Sequence, residues 1–180
     1  MASSSTSWYK GRILIASLVL LLIGVNLVAY NHAYKFTHFE TEKVVSTAKP
    51  ENLGLFKKLG ILFTGITNPR PFNKEVPTRP YNELSFMSHD HLISAWHFPV
   101  DSAKGTVMLL HGYRGTKSTL LRNSEAFNDM GYSTMILDFY GSGDSEGSTT
   151  SIGYWEAQNI VDAYAFIEAQ GDKKVYLFGV

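Results

Sequence analysis

The sequence predicts an α/β domain with a mostly parallel sheet flanked by helices, preceded by one transmembrane helix. From residue 80 onward, short apolar runs that are typical of buried strands alternate with helical patterns. Near the N-terminus, one stretch of 18 residues carries no charge. The 180 residues are 44% hydrophobic, which is the composition of a globular protein.

The uncharged stretch, ILIASLVLLLIGVNLVAY at residues 13–30, is long enough to cross a bilayer. A helix rising ~1.5 Å per residue would span about 27 Å, close to the thickness of the hydrocarbon core. Trp8, Tyr9, Lys10 and Arg12 form an interfacial and basic flank before it. No good small-x-small cleavage site follows, which favours an uncleaved anchor over a cleaved secretory signal.

Basic residues on the two sides of this stretch indicate its orientation only weakly. Lys10 and Arg12 precede it, whereas Lys35, Lys43 and Lys49 follow it. We favour a signal anchor with the N-terminus in the cytoplasm. The protein is then a single-pass membrane protein whose folded domain lies on the extracytoplasmic side.

The chain divides into four predicted parts: a cytoplasmic N-terminus over 1–12, the transmembrane helix over 13–30, a connector over 31–79 and a domain over 80–180. The boundary of the domain is placed at NPRPFNKEVPTRP, because its prolines prevent continuous helix or strand. Within the connector, LGLFKKLGILFTGI is too short and too charged to be a second span. Packing against the folded domain is the favoured interpretation of this segment, and an interfacial helix on the membrane is the alternative.

The domain begins with two runs that alternate like half-buried strands, YNELSFM at 81–87 and LISAWHF at 92–98. Only SHDH separates them, which predicts a hairpin. His89 and His91 flank Asp90 in this turn, and a tight turn in which Asp tolerates unusual backbone angles accounts for them. We predict no metal site, because no third ligand accompanies the two histidines.

Strands and helices then alternate. Two apolar runs, 105–110 and 132–139, predict buried strands, and the run at 174–180 predicts the last strand. A helix is predicted to begin after Thr116 or Ser118 and to end at Gly131, and a second covers about 154–170 and ends at Gly171. This order describes a mostly parallel sheet with helices on its faces.

Charge and cysteine content exclude several functions. The chain has 16 basic and 16 acidic residues, so no basic face is available for nucleic acid. It contains no cysteine, which excludes disulfides, cysteine-ligated metals and a cysteine nucleophile in this chain.

GDSEG, at residues 143–147, spells G-x-S-x-G, the pattern of a serine nucleophile on a sharp strand-to-helix turn. The preceding strand ends near Asp138 to Tyr140, and a long run of small or polar residues separates this motif from the next helix. Because a nucleophile elbow leaves no such gap, Ser145 is interpreted as a loop residue.

The glycines of the same loop do not indicate a dinucleotide site. Gly141, Gly143 and Gly147 are spaced G-x-G-x-x-x-G, which is one residue too long for the dinucleotide fingerprint. No acidic residue closes the following strand, as that fingerprint requires. We therefore predict no cofactor.

Three segments in a fixed order resemble the first half of an α/β-hydrolase. HGYRG, at 111–115, follows the third strand, where that family keeps its oxyanion loop. DFYGSGDSEG, at 138–147, matches the loop after the fourth strand. Gly179 and Val180 follow a buried strand, in the place of the first two letters of the family's G-x-S-x-G elbow. The N-terminal anchor further resembles membrane-attached bacterial members.

The resemblance implies a cofactor-free serine hydrolase that cleaves a small-molecule or acyl substrate, an ester, thioester or amide, through an acyl-enzyme. It implies that the Tyr113 backbone N–H is one oxyanion donor and that Gly112 allows close approach of the loop. His111 is expected to order this loop, because the family's general base follows the nucleophile and the acid. Asp138 is likewise expected to order its loop, and Arg114 to be solvated.

On this resemblance the chain ends one residue before the nucleophile, and the triad residues are absent from it. We therefore expect a truncated fragment that is itself inactive, with VYLF as an exposed apolar edge that is prone to aggregation. Two alternatives remain for the parent protein: an Asp-nucleophile hydrolase of the dehalogenase or epoxide hydrolase type, and a non-catalytic binding protein on the same fold.

Overall fold

A computed structural model describes residues 4–42, 44–48, 50–172 and 174–180. The chain forms two compact units. The N-terminal unit runs to Phe36 and resumes over Val45–Asn68, and the sheet unit comprises Thr37–Val44 and Pro69–Val180. The sheet unit thus contains two pieces of the segment that the sequence analysis assigns to the connector.

Helix α1, Ser4–Thr37, contains the predicted span and continues past it. Residues 31–37 include neither proline nor glycine, so nothing in the local sequence ends the helix at residue 30. This helix is long and apolar enough to cross a membrane: its most apolar part has a mean hydropathy of 2.6 and is not buried in the protein.

Helix α2, Leu55–Thr64, follows a short 3-10 turn over Pro50–Asn52. It ends at Gly65, whose φ of 76° is a conformation that favours glycine. None of its side chains is buried. Helix α2 belongs to the same compact unit as α1.

Five strands form one sheet in the order β1-β2-β4-β3-β5. Their bounds are β1 Asn82–Ser88, β2 His91–Phe98, β3 Thr106–Leu110, β4 Ser133–Leu137 and β5 Val175–Gly179. β2 is antiparallel to both of its neighbours, and β3 is parallel to β4 and β5. Four strands therefore run in one direction and β2 alone in the other, which confirms the predicted mostly parallel sheet.

The turn between β1 and β2 is formed by His89 and Asp90, both of which have positive φ angles, 48° and 62°. Two such residues are typical of the tight turns whose twist matches that of a hairpin. The strands pair from Asn82 opposite His97 to Ser88 opposite His91. The hairpin is confirmed, and His89 as well as Asp90 takes the unusual conformation.

Two helices cover opposite faces of the sheet. Helix α3, Leu121–Asp129, follows a 3-10 turn over Lys117–Leu120, and helix α4 is Tyr154–Ala169. Successive residues of a strand point to opposite faces. In β3, Leu109 belongs to the core on the α3 side, whereas Met108 packs with Ile167 of α4. Burying a side chain such as Ile167 contributes about 1.5–3 kcal/mol to stability.

β5 lies at one edge of the described sheet. Tyr176 and Leu177 are 49% and 60% exposed, in agreement with the expected apolar edge.

Candidate functional site

The carboxyl ends of three neighbouring strands meet at one edge of the sheet. Leu110 of β3 pairs with Leu137 of β4 and with Gly179 of β5. The segments that begin at His111, Asp138 and Val180 therefore leave the sheet at the same level. In open α/β sheets ligands bind beyond the carboxyl ends of the strands, so this edge is the candidate active site.

A cleft of about 360 Å³ opens at this edge. Most of its walls are apolar or aromatic, with contributions from the segments after β3, β4 and β5, from the start of α4 and from Phe39. The cleft brings together all of the following residues that the sequence analysis names at the site: His111, Gly112, Tyr113, Arg114, Gly179 and Val180.

The loop after β3 passes close to the backbone that leaves β5. A Cβ atom on Gly112 would lie 2.8 Å from the Val180 carbonyl oxygen, well inside van der Waals contact. The Val180 N–H donates to the Leu110 carbonyl at 3.1 Å. The loop itself is a tight turn in which the Gly115 N–H donates to the Gly112 carbonyl at 2.9 Å. Two stretches of backbone thus lie side by side at one end of the cleft.

His111 links the loops that follow β3 and β4. Its Nδ1 bonds to the Gly112 carbonyl at 2.9 Å, and its Nε2 accepts the Phe139 N–H at 3.2 Å. Because a carbonyl only accepts and a backbone N–H only donates, these bonds require the neutral ring with its proton on Nδ1. Burial lowers the pKa of His111, in keeping with this neutral form.

Because His111 is neutral in the folded chain, we expect the stability of the fold to depend on pH. As the pH falls, the unfolded chain binds a proton first, because its histidine has the higher pKa, about 6.5. The contribution of His111 to the free energy of unfolding is expected to be complete above about pH 6.5. It is lost as the pH falls from there through the lowered pKa of the folded chain.

Urea unfolding of the wild type and of His111→Gln at about pH 8 and about pH 5.5 would measure this effect. His97, whose pKa burial also lowers, acts in the same direction and is present in both proteins. The loss of stability between the two pH values should be smaller in the variant. An equal loss in both proteins would contradict the assignment.

A buried ion pair holds the start of the loop after β4. The Asp138 side chain is fully buried, and its Oδ2 lies 3.2 Å from Nζ of Lys117, which is also buried. Its Oδ1 accepts the Lys117 backbone N–H at 2.6 Å. Its Oδ2 accepts bonds from Asn73 Nδ2 at 2.8 Å and from the Asp144 N–H at 2.9 Å. Asp138 therefore orders its loop, as the sequence analysis expects.

Lys117 has further partners around its ammonium group. Nζ donates to Ser94 Oγ at 2.7 Å and lies 2.8 Å from Asp144 Oδ2. It also lies 4.7 Å from the centre of the Trp96 ring, within the range of a cation–π contact. Lys117 could not be identified from the sequence, because a single lysine in a polar loop resembles an ordinary surface residue.

Ser145 is a buried structural residue of the loop that joins β4 to α4. Its Oγ donates to the Asp138 carbonyl at 2.6 Å and accepts the Ser94 N–H at 2.9 Å. The strand before it ends at Leu137 and the helix after it begins only at Tyr154, so it does not stand on an elbow. Its position agrees with the interpretation of GDSEG as a loop.

Residues assigned to the connector also support this loop. The Phe39 N–H donates to the Ser148 carbonyl at 2.7 Å, and Arg70 Nε donates to the Gly147 carbonyl at 2.8 Å. Phe39 also contacts Tyr113, with ring centres 6.1 Å apart in the wall of the cleft. The site therefore draws on residues that precede residue 80.

Glu156 is a cleft residue that the sequence analysis does not name. Its carboxylate accepts bonds from the Thr150 hydroxyl at 2.5 Å, the Ser151 N–H at 3.1 Å and the Gly153 N–H at 2.8 Å. Burial opposes its ionisation, but hydrogen bonds from the hydroxyls of Ser151 and Thr150, together with those from backbone N–H groups, outweigh burial, so the pKa of Glu156 is lowered. An acidic residue three positions after a helix cap is the sequence signal that indicates such a role.

The two histidines near the hairpin turn contact aromatic rings. His89 lies 4.6 Å from Trp155, and His91 lies 4.4 Å from Tyr140, between ring centres. Within residues 4–42, 44–48, 50–172 and 174–180, no group of three or more histidines and carboxylates is arranged to hold a metal ion.

Solved structures with the same fold include several hydrolases. The Pyrococcus furiosus esterase Pf2001 is 22% identical, with a TM-score of 0.55 over 62% of this chain and 47% of its own. The α/β hydrolase GrgF from Penicillium sp. sh18 is 20% identical, with a TM-score of 0.52 over 57% and 38%. DcsB, solved with a substrate analogue, is 23% identical, with a TM-score of 0.51 over 56% and 37%.

No protein-family model and no curated protein matches this sequence. The likeness to solved structures shows an α/β-hydrolase fold. The chain spans less than half the length of these structures.

Proposed function

We propose that this chain, which has the α/β-hydrolase fold, is the N-terminal part of a membrane-anchored serine hydrolase. The whole protein cleaves an ester, thioester or amide through an acyl-enzyme and uses no cofactor. Helix α1 crosses the membrane once, with the N-terminus in the cytoplasm and the hydrolase domain on the extracytoplasmic side.

One observation carries this proposal: the backbone after β3 and the backbone after β5 lie side by side at the mouth of one apolar cleft. Gly112 is so close to Val180 that a Cβ atom would not fit between them. A nucleophile that directly follows Val180 would stand beside the Tyr113 N–H. That juxtaposition of a nucleophile and an N–H donor is what acyl transfer requires.

In the proposed reaction the serine oxygen attacks the acyl carbon, and its proton passes to a general base elsewhere in the protein. The carbonyl oxygen becomes an oxyanion, which the N–H groups of Tyr113 and of the residue after the nucleophile stabilise. The leaving group departs with a proton from the base. Water then attacks the acyl-enzyme by the same steps, and the carboxylic acid product is released. Fixed donors of this kind contribute a few kcal/mol each.

The acyl part of the substrate is proposed to lie in the cleft. Leu110, Phe139 and Ile160 supply apolar surface there, and Phe39 and Tyr113 supply aromatic rings. Such walls favour an uncharged, apolar acyl group over a charged one.

Labelling by a fluorophosphonate tests the proposal, because only an activated serine reacts with it. We expect the full-length protein to be labelled, and alanine in place of the residue after Val180 to abolish labelling. The control is Ser145→Ala, which loses the two hydrogen bonds of this hydroxyl at a cost of about 1–3 kcal/mol but should keep its label.

The alternatives give different results. A folded full-length protein without label, but with an aspartate after Val180, would favour the dehalogenase or epoxide hydrolase type. A folded protein with neither label nor a nucleophilic residue there would favour a binding protein. Loss of label in folded Ser145→Ala would contradict the role of Ser145 as a loop residue.

A further inference from the structure

Aromatic residues mark both ends of the apolar part of α1. Trp8 and Tyr9 are exposed at one end, where Arg12 lies over the Trp8 ring at 4.4 Å. Tyr30 and Tyr34 are exposed at the other end and stack with ring centres 6.3 Å apart. From Trp8 to Tyr30 the helix rises about 33 Å, close to the thickness of a bilayer core. Because tyrosine and tryptophan are enriched at headgroup level, Tyr30 and Tyr34 indicate the second interface.

The C-terminal end of helix α2 is hydrogen-bonded to α1 at the level of this second interface. His32 Nε2 donates to the Leu62 carbonyl at 2.8 Å, and Asn31 Nδ2 donates to the Phe63 carbonyl at 3.3 Å. Both carbonyls belong to the last turn of α2, where no partner exists within the helix. His32 and Asn31 stand directly after the apolar stretch, so these bonds hold the end of α2 at headgroup depth.

The outward face of α2 is apolar. Of the six large apolar side chains of α2, Ile61 lies on the opposite side of the helix. The other five fall, at 100° per residue, within an arc of about 120°. They are all exposed, up to 88% for Phe56: Leu55, Phe56, Leu59, Leu62 and Phe63. Lys57 and Thr64 lie on the opposite side of the helix. A contiguous exposed apolar face of this kind is typical of a surface that meets a membrane or another protein.

We propose that α2 is an interfacial helix that lies in the headgroup region of the bilayer that α1 crosses. The occupant of its apolar face is the lipid surface, because the bonds to His32 and Asn31 place α2 at that depth. Lys57 and Lys58 give the helix a positive charge that suits anionic phospholipids. The inference rests on the proposed anchoring by α1 and is independent of the proposed hydrolase chemistry.

These 180 residues contain no cysteine, so single cysteines can be placed in α1 and α2 for site-directed spin labelling once any cysteine in the rest of the protein has been replaced. Full-length single-cysteine variants would be reconstituted in vesicles of phosphatidylcholine and phosphatidylglycerol, three to one. Collision rates of the label with oxygen, which concentrates in lipid, and with a nickel chelate, which stays in water, would be measured. Leu59→Cys and Phe63→Cys report on the apolar face, Lys57→Cys and Thr64→Cys on the opposite face, and Leu20→Cys on the span.

We expect the ratio of oxygen to nickel collisions at Leu59 and Phe63 to exceed that at Lys57 and Thr64 several-fold. It should lie below the ratio at Leu20, because an interfacial helix is shallower than a span. Equal ratios of oxygen to nickel collisions on the two faces of α2 would overturn the inference. A high ratio at Leu20 in the same experiment would still support the membrane span of α1.

Two further outcomes would overturn it. Low collision rates with both reagents at Leu59 and Phe63 would mean that protein, not lipid, covers this face. A low ratio at Leu20 would overturn both the anchor and the inference, whereas fluorophosphonate labelling would still report on the hydrolase chemistry.

Discussion

Replacing Asp138 with alanine is expected to lower the free energy of unfolding by about 3–5 kcal/mol. The substitution leaves the buried Lys117 ammonium without its fully buried counter-ion. It also leaves the backbone N–H groups of Lys117 and Asp144 without their acceptor. A buried donor that loses its partner retains the full cost of its desolvation.

Asp144→Ala is the matched control, because Asp144 also pairs with Lys117, at 2.8 Å. Its side chain is 59% exposed, however, and exposed ion pairs contribute at most about 1 kcal/mol. Denaturant unfolding of the full-length protein in detergent, followed by tryptophan fluorescence, measures both variants. Similar losses of stability in Asp138→Ala and Asp144→Ala would contradict the view that the buried carboxylate organises this network.

The strands and helices of the sheet unit could be predicted because each is encoded locally. The continuous apolar run of β4 and the alternation in β2 distinguish strands from helices over a few residues. The hairpin turn was likewise predictable from Asp90, since aspartate tolerates positive φ angles, whereas the positive φ of His89 was not predicted. The loop of His111 and Gly112 could be located because it directly follows a recognisable strand.

The contacts that support the site could not be predicted, because they join residues that are distant in sequence. Asp138 lies 21 residues from Lys117, and Arg70 lies 77 residues from Gly147. No local pattern shows that a lysine is buried or that an arginine in a proline-rich segment reaches a later loop. The grouping of α2 with α1 likewise depends on two side-chain bonds that periodicity does not encode.

These distant contacts join the two loops at the candidate site. Asp138 accepts the backbone N–H of Lys117, which follows the proposed oxyanion loop, and that of Asp144 in the loop after β4. His111 connects the same loops through Gly112 and Phe139. Fixed loops keep N–H donors aimed at one point before the substrate arrives, which is the condition for electrostatic catalysis.

Replacing Gly112 with alanine is expected to lower kcat of the full-length protein by about 10²–10³-fold. The added Cβ atom would lie 2.8 Å from the Val180 carbonyl oxygen, so the two segments of backbone must separate. That shift moves the Tyr113 N–H away from the proposed oxyanion position. Because this donor acts mainly in the transition state, KM should change much less than kcat.

Steady-state hydrolysis of a p-nitrophenyl ester, with the unfolding midpoint measured in parallel, separates this effect from loss of fold. Crowding a packed site costs about 1–3 kcal/mol, which leaves a folded protein to assay. Gly60→Ala is the control, since a Cβ atom there has no neighbour within 4 Å and the residue lies outside the cleft. If folded Gly112→Ala kept the kcat of the wild type and of Gly60→Ala, the loop after β3 would not supply the oxyanion donor. The donors would then have to come from another part of the protein, and the proposed role of Tyr113 would be wrong.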